Sequence, residues 1–267
     1  MLATHLCQPD TAKSCGACCG LYNYPDSSRA ALIERLGRRS SLMERVRAGE
    51  IDLQAYRQRL AASEDQRRIY ATIYSCEFVG FIDADRRRVG CLLHPAANAG
   101  CDLREQSFYG RQLCDGHFCP SYQKLAQHEV DCLLRVIDDW YLWGAVITDI
   151  DFVKEFFRQV EPRLGEAVRP ERLGTMAAAW LKDYCALKLD WPWRDQSRPR
   201  FGKYFFVGED YDIAQIDYAA LGCGLSVYDR VLVSLASAFE SRAELQRAEE
   251  RLSQIMEGFI DGYRSGD

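Results

Sequence analysis

Ser14-Cys15-Gly16-Ala17-Cys18-Cys19-Gly20 places three cysteines within five residues, and thiols at that density open three kinds of chemistry. A Cys-x-x-Cys pair can cycle between dithiol and disulfide, anchor a permanent disulfide, or turn both sulfurs to one metal. The consecutive Cys18 and Cys19 complicate all three, because side chains of adjacent residues diverge and reach one ion only with backbone distortion.

Five more cysteines follow: Cys76, Cys91, Cys101, Cys114 and Cys119, with 14, nine, 12 and four residues between them. Thiolates are soft ligands suited to zinc and to iron-sulfur clusters, and closed sites of either kind usually take four of them. The candidate metal ligands are therefore Cys15, Cys18, Cys19, Cys76, Cys91, Cys101, Cys114 and Cys119, enough for two sites or for one with spares. Between Cys15 and Cys18, the small Gly16 and Ala17 let backbone amides approach the sulfurs. Only one Cys-x-x-Cys knuckle is present, whereas zinc ribbons pair two. Irregular ligands gathered from loops fit an iron-sulfur cluster, and Cys119-Pro120 matches the ending of some ferredoxin runs. The expected cofactor is an iron-sulfur cluster of the 4Fe-4S type, with zinc as the alternative. His117, between Cys114 and Cys119, and His94, after Cys91, could also ligate; both equally suit hydrogen-bonded loop positions. Cys7, Cys132, Cys185 and Cys223 are scattered and read as small buried residues.

The elements that must hold these thiols follow from hydrophobic periodicity. Residues 28 to 48 predict a helix capped by Ser27 or Ser28, with Leu32, Ile33, Leu36, Met43 and Val46 on its apolar side and Gly49 as its stop. A shorter helix carries Leu53, Tyr56 and Leu60. From Ile73 the pattern predicts a β-hairpin that brings Cys76 and Cys91 together at its base. Residues 95 to 119 read as loop. After Pro120 come long amphipathic helices: one through Leu133, Val136, Ile137, Trp140, Gly144 and Ile147, one from Val153 to Leu164, and one opening at Pro170. A short strand at Tyr204 to Val207 precedes two closing helices. The fold class is α+β, mainly α, with a cysteine-rich region over 1–120 and a helical domain over 121–267.

The chain has 267 residues, 48% of them hydrophobic, and a net charge of -5 with both signs mixed. That balance argues against nucleic-acid binding, and Arg86-Arg87-Arg88 reads as a solvated turn. No run approaches the ~18 apolar residues of a membrane span, and Met1 to Asp10 lacks a secretory leader. The expected compartment is the cytoplasm, where thiols stay reduced and a disulfide framework is disfavoured. Glu209, Asp210 and Asp212 beside Tyr204, Phe205, Phe206 and Tyr211 suit either a substrate-facing patch or a solvated loop.

Cys-Gly-Ala-Cys-Cys, then a cysteine ahead of a short hairpin, then Cys-x9-Cys with proline in the spacer resembles the YkgJ-type cysteine-cluster family, described as zinc- or iron-chelating. The resemblance spans residues 14 to 119 and implies ligation by Cys15, Cys18, Cys19, Cys76, Cys91 and Cys101. The segment from Cys91 to Cys101 keeps the spacing but lacks the family's tyrosine and arginine. More distantly the pattern is similar to flagellin lysine N-methylases, which implies a cluster-dependent modifying enzyme as the alternative to a metal-binding protein with a redox role. The sequence names no catalytic residue, and the partner, a protein or a small molecule, is open.

Overall fold

The computed structural model describes residues 4–198, 204–207 and 210–266, leaving aside the side chains of 204–207 and 210–212. Its elements are α1 (Arg29–Arg47), α2 (Leu53–Ser63), β1 (Val79–Phe81), β2 (Val89–Cys91), α3 (Gly110–Gly116), α4 (Ser121–Lys124), α5 (Gln127–Val136), α6 (Trp140–Ile147), α7 (Ile150–Leu164), α8 (Thr175–Asp190), β3 (Tyr204–Val207), β4 (Asp210–Ile213), α9 (Asp229–Ser234) and α10 (Arg242–Ser265). The fold is α+β and mainly α, with two antiparallel two-stranded sheets, β1-β2 and β3-β4. No described helix is long and apolar enough to cross a membrane. The chain forms two compact units. One comprises residues 5–120 and 139–144; the other comprises 1–4, 121–138 and 145–267.

Several expected elements differ in detail. The helix through Leu133 and Ile147 is broken between α5 and α6, where the Asp139 carboxylate accepts from the amides of Tyr141 and Leu142 and restarts the turn. Pro170 opens a single turn of 3₁₀ helix, and α8 begins five residues later at Thr175. The segment read as loop after Pro95 contains α3, too short to show a hydrophobic period.

In the larger unit, α8 packs on α10 at small residues. A Cβ on Gly258 would fall 2.3 Å from the Trp180 ring, so only glycine lets that indole lie against the helix. Phe156 contacts Phe157, Tyr184 and Phe259, and Asp149 both caps α7 and pairs with buried Lys188 at 2.9 Å. Cys132 and Cys185 are wholly buried here and pack as hydrophobes.

The cysteine-bearing unit is built on α1. Ser28 caps it, its side chain accepting from the Ala31 amide at 3.3 Å, and Leu32, Leu36 and Met43 are fully buried. Each such side chain contributes about 1.5–3 kcal/mol. Ile33, read as part of that face, is exposed. The centre of the face is instead Arg39, 2% exposed. Its guanidinium donates to both Glu64 oxygens at 2.9 and 2.8 Å, to the Tyr24 hydroxyl at 2.8 Å, and to the carbonyls of Cys76 at 3.0 Å and Val79 at 3.4 Å. One side chain thus joins the end of α2, the N-terminal loop and the start of the hairpin to α1.

Removing one partner of a buried, hydrogen-bonded ion pair strands the other. Arg39→Met is therefore expected to lose about 3 kcal/mol or more of stability, while Arg45→Met, which frees only the exposed Glu50, should lose under about 1 kcal/mol. Urea denaturation of the two variants checks this, and equal losses would contradict the assigned role of Arg39.

Candidate metal centre

The hairpin supplies the frame. Val79 pairs with Cys91, Gly80 with Gly90 and Phe81 with Val89, and the Leu92 amide extends the ladder to the Phe78 carbonyl at 2.8 Å. Cys76 lies just ahead of β1, so the pairing brings it to the same end of the ribbon as Cys91. At the turn, the Asp83 carboxylate accepts from the amides of Arg87 and Arg88; Arg86 and Arg87 are exposed, as a solvated turn requires, while Arg88 is half-buried and donates to the Gln8 side chain.

The chain before α1 docks on the free edge of β2. Gln8 donates to the Val89 carbonyl at 2.7 Å, and the Ser14 hydroxyl accepts from the Val89 amide at 2.7 Å. These two bonds satisfy an edge residue that would otherwise be open, and they set down the residues next to them, Cys7 and Cys15. The Cys15 amide then donates to the Cys7 carbonyl at 3.0 Å. Residues Ala17–Cys19 form one 3₁₀ turn, ended by Gly20 at φ 76. Cys19 is tied to Cys76, its carbonyl accepting the Cys76 amide at 2.9 Å, and Asn23 holds the next loop through Tyr70 and Ile73.

The later thiols arrive on bracing side chains. Buried Arg104 pairs with Asp102 at 2.7 Å and with Asp115, fixing the segment that carries Cys114. The Ser107 hydroxyl lies 4.0 Å from the Cys114 sulfur. Edge-to-face contact between the His5 and Phe118 rings, centroids 6.4 Å apart, brings the neighbour of Cys119 against the neighbourhood of Cys7. Tyr109 packs on Tyr74 at 5.1 Å and borders the thiols.

Burial and neighbouring sulfurs together raise these thiols. Burial pushes the Cys15 thiol up to about 12, the Ala17 amide opposing and the Cys7 and Cys119 sulfurs adding to the rise. Cys18 rises through its hydrogen bond with the Cys119 sulfur, then burial, then the nearness of Cys119, Cys15 and Cys7. Burial raises Cys19, followed by Cys76, Cys91, Cys7 and Cys114. Cys76 is pushed by burial up to about 12 against the Phe78 amide, with Cys91 adding to the rise. Cys91 is raised by burial against the Leu93 amide, with Cys114 adding. In Cys15, Cys76 and Cys91 the opposing amide belongs to the residue two further along, and it favours the thiolate.

Of the eight expected ligands, seven thus lie in one neighbourhood together with Cys7, whose isolated position in the sequence suggests a packing residue. Cys101 is exposed, on the turn closed by its amide bond to the Asn98 carbonyl, and is not among the thiols that influence the others. His94 accepts from the Ala96 amide through Nδ1 at 3.2 Å, a loop-capping use, and His117 is exposed at the end of α3. All twelve cysteines are free thiols. Among the described residues, no group of three or more His, Cys, Asp or Glu side chains is set to hold a metal ion, so the sulfurs are gathered without converging on one point. Glu209 and the side chains of Asp210, Asp212, Tyr204, Phe205, Phe206 and Tyr211 lie outside the described residues.

No protein-family model, curated protein or solved structure matches this chain. Its function has to be argued from its own residues.

Gly20 gives a direct test of the local frame. A Cβ there would meet the Tyr74 carbonyl at 2.5 Å and the Ser75 Cα at 2.6 Å, whereas Gly49, at a similar φ of 72, has open space around it. Gly49→Ala should cost about 1 kcal/mol from backbone strain alone, and Gly20→Ala roughly 3 kcal/mol from strain and overpacking together. Denaturation midpoints that fall equally would contradict this account of the Cys19 to Cys76 junction.

Proposed function

We propose that this chain is a metal-binding protein whose gathered thiols carry an iron-sulfur centre, of the 4Fe-4S type, with a redox or cluster-dependent role in the cytoplasm. The observation that carries the reading is the backbone that gathers the cysteines: the Cys15 amide donates to the Cys7 carbonyl at 3.0 Å, the Cys76 amide to the Cys19 carbonyl at 2.9 Å, and the hairpin puts Cys76 and Cys91 at one end of its ribbon. A metal-bound thiolate gains from a nearby amide, because the N–H offsets part of the charge that burial penalises. Free cysteines at all twelve positions fit a reducing compartment and a ligand role. The cysteine spacing that resembles the YkgJ-type family points the same way.

The cluster itself would supply one-electron chemistry tuned by the hydrogen bonds to its sulfurs and by burial. The chain's part is to hold the thiols on a hairpin end and a short turn, and to shade them with Tyr74 and Tyr109. Convergence of the sulfurs is then the work of the bonds to the metal, as in small metal domains whose ligands order on loading.

Anaerobic purification followed by absorption spectroscopy and iron, sulfide and zinc analysis tests the proposal. A brown protein with broad visible absorption and equal iron and sulfide is expected. A colourless protein with stoichiometric zinc, or one with no metal at all, would overturn the iron-sulfur reading.

A further inference from the structure

Two pairs of cysteines are joined backbone to backbone. The Cys15 amide donates to the Cys7 carbonyl at 3.0 Å, and the Cys76 amide donates to the Cys19 carbonyl at 2.9 Å. Residues facing each other across such a bond lie about 5.5 Å apart at Cα, inside the span of roughly 4.4–6.8 Å that a disulfide closes. Each pair is also held from outside. Gln8 and Ser14, the residues next to Cys7 and Cys15, both bond to Val89, at 2.7 Å each. The Cys76 carbonyl accepts from buried Arg39 at 3.0 Å, and Gly20, next to Cys19, lies so close to the Tyr74–Ser75 backbone that a Cβ would fall 2.5 Å from the Tyr74 carbonyl. Cys91 instead faces Val79 across the ribbon, and the Cys101 amide goes to Asn98.

We propose that the metal-free chain is oxidised at these two pairs, closing a Cys7–Cys15 and a Cys19–Cys76 disulfide by exchange with a small-molecule disulfide such as oxidised glutathione. All four are free thiols, three of them half-buried and Cys76 buried, so attack in the second pair begins at Cys19. One thiol of a pair loses its proton, and its sulfur attacks the small disulfide, breaking that S–S bond and forming a mixed disulfide. The first small thiol leaves and takes up a proton. The partner cysteine, giving up its own proton, then attacks the protein sulfur of the mixed disulfide and releases the second small thiol. Two electrons pass from each cysteine pair to the oxidant, so the bridges close only where the surrounding thiol poise is oxidising enough. Their closure needs no bound metal. Under the reading that the thiols hold metal, each bridge withdraws two of them, so oxidation and loading exclude one another.

The test equilibrates the full, metal-free chain with oxidised glutathione, blocks the remaining thiols with N-ethylmaleimide, and maps the links by trypsin digestion and mass spectrometry. Cleavage after Lys13, Arg29, Arg68 and Arg86 puts Cys7 in peptide 1–13, Cys15, Cys18 and Cys19 in 14–29, and Cys76 in 69–86. All three peptides should emerge joined, with four fewer blocked thiols than the twelve of the reduced chain. Cys15→Ser should free peptide 1–13 alone, and Cys19→Ser should free peptide 69–86 alone. A wild type that leaves 1–13 or 69–86 unlinked, a result that depends on no variant, would overturn the proposal. So would a Cys15→Ser protein that still links 1–13 to 14–29, or linkage of 14–29 to the peptide holding Cys114 and Cys119 in place of these. A chain that forms both bridges yet takes up no metal when reduced would sink the iron-sulfur reading while leaving the bridges in place.

Discussion

Everything around the gathered thiols hangs on the buried Arg39–Glu64 pair. A charge in the middle of a buried helix face is costly, and the cost is offset here because the guanidinium donates to Glu64, Tyr24 and the carbonyls of Cys76 and Val79. Two of those acceptors are the carbonyls of Cys76 and Val79, at the start of the hairpin. The pair therefore does more than hold α1 to α2. It fixes the distance from α1 to the point where the hairpin begins, and through the Cys19–Cys76 backbone bond it sets the 3₁₀ turn that carries Cys18 and Cys19.

A second constraint is the competition at each sulfur between burial and hydrogen bonding. Burial favours the neutral thiol, and adjacent sulfurs favour it further, since two thiolates side by side repel. Amides from Ala17, Phe78 and Leu93 pull the other way. That crowding favours the neutral thiols, and under the proposed function a bound cation would reverse the preference.

The sequence showed the main elements because their causes are local. The Ser28 cap, the period of Leu32, Leu36 and Met43, and the alternation around Val79 and Val89 can each be read within a few residues. The break between α5 and α6 was missed because an Asp139 turn interrupts an apolar pattern without changing its period, and α3 because seven residues give too little of one. Arg39 was invisible for a different reason: its partners lie 25 and 37 residues away, and nothing near it in sequence marks it as buried. The candidate site was legible as a set of thiols but not as a grouping. Cys7 looked isolated by spacing and is brought in by Gln8 on the β2 edge, while Cys101 has family-like spacing yet sits on an exposed turn. Spacing counts residues along the chain, and β-edge docking is a contact across it.

The central claim, that cysteine sulfurs hold iron in this chain, is tested most directly by X-ray absorption at the iron edge on anaerobically purified protein. The account predicts a nearest shell made of sulfur with iron scatterers beyond it. A nearest shell of oxygen or nitrogen would contradict it.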